Sequence, residues 1–194
     1  WHGRPVLMFA VCWSGDVAEG ERALAALRGH GRPVVDHIGR LPYAQWQQLQ
    51  DPSAPRGHYY YWKTANYAAL RDITIDQLAA MADRLPTMRC EIHVQHMGGA
   101  VSRFAAEDSA FAPRHAQFFV NFIGLTDTAA AVGGVRDGIR ALHDRVSREA
   151  LPGTLTNFAD QDDSDNVRHF GPQNSGRLEA LQKKYDPAGT LQNA

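Results

Sequence analysis

In a short stretch of the chain, Glu91 to Met97, every second residue from Glu91 to Gln95 is polar and the residues between them are apolar, which is the spacing of a β-strand. Successive side chains of a strand point to opposite faces, so Glu91, His93 and Gln95 share one face with Met97. A carboxylate, an imidazole and a carboxamide can each exchange protons or hydrogen bonds with a ligand. The pattern fits the wall of a polar pocket or a strand face in contact with water, and the residues alone leave both interpretations open.

Two other groups of residues have the composition of a metal site but not its spacing. His93 and His96 are three positions apart on the predicted strand, so they point to opposite faces and cannot chelate one ion. The run that begins at Asp160 contains four aspartates, yet a calcium loop needs glycine at its sixth position and glutamate at its twelfth. Those positions hold Asp165 and Gly171. The sequence therefore predicts an acidic surface turn and no metal site.

The aromatic run from Tyr59 to Trp62, followed by Lys63, could stack a flat ligand, bind an acidic group or fill a core. Core packing and sheet pairing are the default interpretation. The sequence contains neither the G-x-S-x-G elbow of hydrolases nor a Walker loop, nor a G-x-G-x-x-G after a strand. It therefore predicts no independent hydrolase and no self-contained nucleotide site.

The composition is that of an ordinary globular chain. The 194 residues suffice for one domain with a substantial core, and a net charge of −1 provides no field that would collect phosphates, so nucleic acid is not an expected partner. No membrane span or signal peptide is visible in the sequence. Cys12 and Cys90 lie in apolar runs and need no disulfide role, which fits a reducing cytoplasm.

Strands and helices alternate irregularly along the chain, and this order predicts one α+β domain, 1–194, with a largely antiparallel sheet and helices packed on one face. A capping box at Thr74 and Gln77 is expected to open a helix, and Gly98 and Gly99 are expected to form a hairpin turn. The predicted strands are 5–13, 33–39, 59–67, 88–96, 100–104, 116–125 and 153–158. The predicted helices are 15–31, 42–50, 75–85, 126–151 and a final one that begins near Val167 and is capped by Asp165 or Asn166.

Six segments, taken in order, resemble the C-terminal half of FAD-linked oxidases of the berberine bridge enzyme type. They include a strand, glycine-aspartate turn and helix near the start, a double-glycine segment followed by an arginine, and a closing helix with a tyrosine-aspartate-proline stop. The segments are VCWSGDVAEGERALAALR, LPYAQWQQLQD, YYWKT, QHMGGAVSRFAAEDSAFAPR, LTNF and FGPQNSGRLEALQKKYDP. No single segment is specific, but their order extends over nearly the whole chain.

The resemblance implies a sheet that roofs a substrate cavity above a flavin, which takes hydride from a substrate C–H and is re-oxidised by dioxygen. A side chain of the protein takes the accompanying proton. Leu155 stands where many members carry the catalytic tyrosine, so either another group serves as the base, the reaction differs, or this member is inactive. The implied flavin contacts are Asn157, Phe158 and Asn193. The candidate catalytic residues are Tyr61, Lys63, Glu91, His93, Gln95 and Asn121.

The family's N-terminal FAD-binding domain is absent from these 194 residues, and residues from about 150 to 194 correspond to its closing segment. The resemblance therefore implies a substrate-binding domain whose partners are a FAD-binding domain, in the same gene or a separate chain, and a small-molecule substrate. The chain alone is not expected to hold FAD tightly or to turn over. Some self-association through an uncovered face is expected. The alternative is a stand-alone binding module that uses this fold without redox chemistry.

Overall fold

The computed structural model describes residues 3–111, 113–160 and 166–190, and the chain divides into two compact units. The smaller unit is Val6–Arg56, and the larger is Trp1–Pro5 with Gly57–Ala194. The smaller unit contains helix α1, Val17–Arg28, and helix α2, Tyr43–Gln48. The Asp16 side chain accepts a hydrogen bond from the backbone N–H of Glu19, which fixes the start of α1 as its composition predicts.

Two strands predicted in the smaller unit are absent. The runs 5–13 and 33–39 have no regular secondary structure, and the side chains of Leu7 and Met8 are among the most exposed apolar groups. An apolar run of strand length makes a strand only where a second strand pairs with its backbone, and neither run has such a partner among the described residues. The prediction of strands here is wrong for that reason.

The larger unit is built on a three-stranded antiparallel sheet. Its strands are β1, Tyr59–Tyr67, β2, Glu91–His96, and β3, Phe118–Thr126, in the order β1-β3-β2. Aromatic and β-branched side chains dominate β1 and β3, as such side chains favour a pleated surface. Central strand β3 pairs over its full length with β1.

Helices cover one face of this sheet. Helix α3 is Asp72–Met81, and helix α4, Val132–Val146, packs its buried side chains on β1 and β3. The contact is close at Gly124, where no side chain separates β3 from α4. The α+β class with an antiparallel sheet and helices on one face is confirmed. The main residues of this core are Tyr61, Ala65, Val120, Phe122, Val135, Ile139, Leu142 and Val146.

Three further predictions in the larger unit are wrong. Residues 100–104 form a short 3₁₀ turn, Val101–Arg103, so β2 pairs with β3 and makes no hairpin at Gly98 and Gly99. Residues 153–158 contribute no strand to the sheet and contain a 3₁₀ turn, Thr156–Phe158. Thr74 does not cap α3, because the helix begins two residues earlier and the Thr74 hydroxyl donates to Glu149.

The last helix, α5, is Asn166–Tyr185, with a break at Gly171 where φ is 75°. It holds the long β2–β3 connection in place, because the Asn174 carboxamide donates to the carbonyls of Ala106 and Ser109 at 2.9 Å each. Residues 161–165 lie outside the described part of the chain. The predicted acidic turn and the predicted capping by Asp165 fall on these residues. The side chain of Asn166, the other predicted cap, is not described either.

Candidate functional site

The sheet register sorts the predicted site residues into two sets. His93, Asn121 and Thr64 lie side by side across β2, β3 and β1, so their side chains share one face. This face is opposite to the one that α4 covers. We call it the polar face and define it by Trp62, Thr64, Asn66, Glu91, His93, Gln95, Phe119 and Asn121.

Four of the six candidate catalytic residues lie together on the polar face, namely Glu91, His93, Gln95 and Asn121. The other two lie on the face covered by α4. There the Tyr61 hydroxyl accepts a hydrogen bond from Arg140 Nε at 2.7 Å. The Lys63 ammonium lies 5.8 Å from the centre of the Tyr61 ring. The structure therefore does not bring Tyr61 and Lys63 to the other four.

His93 and Glu91 form a close pair on β2. His93 Nε2 lies 2.6 Å from Glu91 Oε2, and both side chains keep partial contact with solvent. When Glu91 is a carboxylate and the imidazole is in its neutral form, Nε2 donates in this pair and Nδ1 keeps its lone pair. A carboxylate that fixes one ring nitrogen in this way leaves the other nitrogen able to accept a proton.

Asn121 occupies the centre of the polar face and is almost completely buried, with 1% of its surface exposed. Within the described residues, neither its Nδ2 nor its Oδ1 has a hydrogen-bond partner, and the same is true of the buried Trp62 Nε1. A buried polar atom left without a partner costs about 1–3 kcal/mol. The described residues therefore leave these three buried atoms of the polar face unsatisfied.

A segment that sequence reasoning assigned to a strand instead crosses this face. We call Gly153–Phe158 the strap. The Asn66 carboxamide donates to the Gly153 carbonyl at 2.7 Å, and the Thr154 and Thr64 hydroxyls are 2.6 Å apart. The Phe158 ring lies 5.9 Å from the ring of Trp62 and 5.2 Å from that of Phe119.

The residues implied as flavin contacts fall at the end of the strap. Asn157 is exposed, Leu155 is half-buried, and Phe158 is packed against the sheet. Asn193 lies outside the described residues. Trp62, Thr64 and Thr154 were missed as site residues by sequence reasoning. Only the aromatic run that contains Trp62 signalled a possible ligand surface.

Two cavities of about 400 and 420 Å³ lie away from the polar face, by the ends of α3 and α4, and Arg148 lines both. Tyr67 lines the larger, and its hydroxyl donates to the Val146 carbonyl at 3.1 Å. Burial, and then the nearby Glu149 charge, raise the pKa of Tyr67 to about 12. Hydrogen bonding from Arg71 holds the pKa of Glu149 below its ordinary value. This cluster fixes the end of α4 to the sheet through the hydrogen bond from Tyr67 to Val146.

In the described ranges no three histidine, cysteine, aspartate or glutamate side chains are grouped as metal ligands would be. No helix among these residues has the length and apolar composition needed to cross a bilayer. Both thiols are unpaired: Cys12 is exposed, and Cys90 is buried beside the Thr87 hydroxyl.

Comparisons with known proteins relate the sequence and the fold of this chain to flavin enzymes. No protein-family model matches the chain. A FAD-linked oxidoreductase of Dictyostelium discoideum is 25% identical over 97% of this chain, which spans 41% of that relative's length. Among solved structures, CrmK, a flavoenzyme of caerulomycin biosynthesis, aligns with 93% of this chain and 41% of its own, with a TM-score of 0.72 and 18% identity.

A second solved structure is GilR, an oxidoreductase that catalyses the terminal step of gilvocarcin biosynthesis. It aligns with 71% of this chain and 32% of its own, with a TM-score of 0.63 and 16% identity. The chain therefore has the fold of a region found in FAD-linked oxidases and is similar in sequence to a FAD-linked oxidoreductase.

Proposed function

We propose that this chain is the substrate-binding part of a cytoplasmic FAD-dependent oxidoreductase of the berberine bridge type, and that the polar face binds the substrate. The observation that carries the proposal is the sheet register, which gathers a proton acceptor, a carboxylate and a carboxamide on the face that α4 leaves uncovered. The sequence and fold similarity to flavin enzymes supports the redox chemistry.

Three groups of the polar face have distinct roles in this proposal. Asn121 positions the substrate through a hydrogen bond, because its carboxamide both donates and accepts. His93 takes the proton of the substrate hydroxyl on Nδ1, and Glu91 orients the ring through Nε2 and stabilises the positive charge that forms. A positioned base of this kind contributes about 10²–10⁴ in rate. This assignment supplies the base that Leu155 cannot be.

FAD, when bound, supplies the acceptor for the hydride that leaves the substrate carbon. Asn157 fits a role beside it, since its exposed carboxamide can donate to a ring carbonyl. Phe158 does not fit in its present position, because its ring is already packed between Trp62 and Phe119. No glycine-rich phosphate loop follows a strand in the sequence, so the pyrophosphate must be held by another part of the enzyme.

The test is to combine the chain with a separately supplied FAD-binding domain of a FAD-linked oxidoreductase. We expect the complex to show flavin absorbance and substrate-dependent reduction that the chain alone does not show. Tight stoichiometric FAD binding by the isolated chain would contradict the proposal. If the complex binds FAD but no substrate leads to reduction of the flavin, the alternative of a non-redox binding module is favoured.

A matched pair of variants on β2 tests the roles. His93→Gln should lower the rate of flavin reduction in the complex by about 10²-fold or more, because glutamine cannot accept the proton. Val94→Gln changes the next residue, which points to the other face and is half exposed, and should leave that rate unchanged. Equal effects of the two changes would mean that the polar face is not the reacting face.

A further inference from the structure

The strap covers the centre of the polar face. Thr64 and Asn121 pair across β1 and β3, and Trp62 and Phe119 lie on either side of this row. Because the Phe158 ring contacts both Trp62 and Phe119, it lies over the row between them. It is therefore the group best placed to shield the unsatisfied atoms of Asn121 from solvent.

Among the described residues, few bonds attach the strap to the sheet. The backbone of Leu151 donates to Asn66 at 2.7 Å just before the strap begins, and Phe158 N–H bonds within the strap to the Leu155 carbonyl. Attachment to the sheet then rests on the Asn66–Gly153 and Thr64–Thr154 side-chain bonds and on the Phe158 ring. Gly153 has φ of 102°, a conformation that only glycine adopts readily, so it suits a hinge.

We propose that Asn121 and Trp62 form a ligand-binding site that the strap closes, and that a ligand enters when Phe158 leaves the sheet. The ligand is a neutral group with a hydrogen-bond donor and an acceptor on neighbouring atoms, since in the described part of the chain the Asn121 carboxamide has no partner for either its oxygen or its nitrogen. The inference rests on the proposed function in one respect: the ligand is identified as the substrate of that function.

Two ligand chemistries satisfy these atoms, a vicinal diol and a carboxamide. A ring that carries either group would also replace the Phe158 ring against Trp62 and Phe119. Because only molecules with an open strap bind, the apparent Kd is the intrinsic Kd divided by the fraction of molecules in which the strap is open. Loosening the strap should therefore tighten binding without any new contact.

The experiment uses the isolated ¹⁵N-labelled chain and follows the side-chain NH₂ signal of Asn121 and the indole N–H signal of Trp62. The probes are trans-cyclohexane-1,2-diol and benzamide, titrated separately. We expect one of them to shift both signals to saturation and so to identify the chemistry. We expect Phe158→Ala to lower the apparent Kd about tenfold, and Thr154→Val, which removes the bond to Thr64, to lower it in the same direction.

Asn121→Leu is the control for the site. It removes polar atoms for which the described residues offer no partner, so its Tm should equal or exceed that of the unchanged chain, while the Trp62 signal should no longer respond to the probe. A fall in Tm of more than about 5 °C would show that the Asn121 amide is satisfied within the folded chain, which overturns the inference. Failure of both probes to shift either signal in the Phe158→Ala chain would overturn it as well.

These outcomes are separate from those of the flavin test. Probe binding that depends on Asn121 without any turnover in the FAD complex would leave the strap and its site standing and remove the oxidoreductase. Turnover in that complex with no effect of Phe158→Ala on probe binding would support the oxidoreductase and remove the strap.

Discussion

Gly124 is the position where the packing of α4 on the sheet can be tested most directly. A Cβ atom at Gly124 would lie 2.7 Å from Val135 Cγ1 and 2.9 Å from Ile139 Cγ1, well inside the roughly 3.5–4.0 Å at which carbon atoms attract. Both partners are buried and cannot swing away. The backbone of Gly124 is not in the left-handed region, so alanine there would suffer from crowding alone.

We expect Gly124→Ala to lower the free energy of unfolding by about 1–3 kcal/mol, the usual cost of an extra methyl group in a packed core. That loss corresponds to a fall in Tm of about 2–12 °C for a chain of this size. The assay is urea unfolding followed by far-ultraviolet circular dichroism. The matched control is Gly134→Ala in α4, where a Cβ would meet nothing within 4 Å. It should raise stability by about 0.5–1 kcal/mol through helix propensity.

A double-mutant cycle separates crowding from other causes. Val135→Ala alone should cost about 2 kcal/mol for the lost methyl groups. Combined with Gly124→Ala, it removes the nearest clashing atom, so the double variant should cost less than the two single changes together by about 1 kcal/mol. Strict additivity, or a Gly124→Ala protein as stable as the unchanged chain, would refute the packing of α4 described here.

Three further predictions concern buried and capping groups. Because the pKa of Tyr67 is raised from 10.0 to about 12, its folded form favours the neutral phenol, and stability should fall as the pH rises from about 10 toward 12, by up to about 3 kcal/mol. Tyr67→Phe should lack this slope when the two proteins are unfolded in urea between pH 8 and 11. The pKa of Glu149 is lowered from 4.5 chiefly by Arg71, so its stabilising effect is present at neutral pH and lost as the pH falls through the acid range. Arg71→Ala should flatten the decline in the urea midpoint between pH 6 and pH 3. Asp16→Ala should weaken α1 by about 0.5–2 kcal/mol, seen as faster amide exchange in Val17–Arg28, while Asp16→Asn should not.

The sequence predicted the strands and helices whose own pattern decides them. The aromatic run of β1, the alternation of β2 and the continuous apolar stretch of β3 each specify a strand that the sheet confirms. The acidic residues near the start of α1, Arg28 in its last turn and the glycines that follow specify that helix equally well, although the structure places Asp16 at the cap and not in the first turn.

The strand and hairpin predictions that were wrong concern elements that depend on partners distant in the chain. The runs 5–13 and 33–39 have strand composition, but composition does not name the strand that must pair with them. Gly98 and Gly99 suggest a local hairpin, whereas β2 pairs with β3, which begins twenty-two residues after β2 ends. The chain between them is held by Asn174 of α5, a contact with no local signature.

The candidate site shows the same division between local and distant information. Alternation along β2 places Glu91, His93 and Gln95 on one face from sequence alone. It cannot say which residues of β1 join them. The register pairs Tyr61 with Gly124 and Thr64 with Asn121, so Tyr61 and Lys63 fall under α4 instead. A shift of the β1 register by one residue would have placed Tyr61 and Lys63 on the polar face.

The two faces of the sheet differ in a way that stability alone does not explain. Under α4 the buried side chains are apolar, as in Ala65, Val120 and Phe122, and this packing stabilises the fold. Under the strap the equally buried Asn121 and the Trp62 indole nitrogen lack partners among the described residues, where leucine or phenylalanine would cost nothing in hydrogen bonds. A buried polar pair that weakens the isolated fold is expected where another molecule satisfies it. We therefore propose that the polar face gives up stability in order to bind a ligand, and the response of Asn121 to a ligand decides whether that reasoning holds.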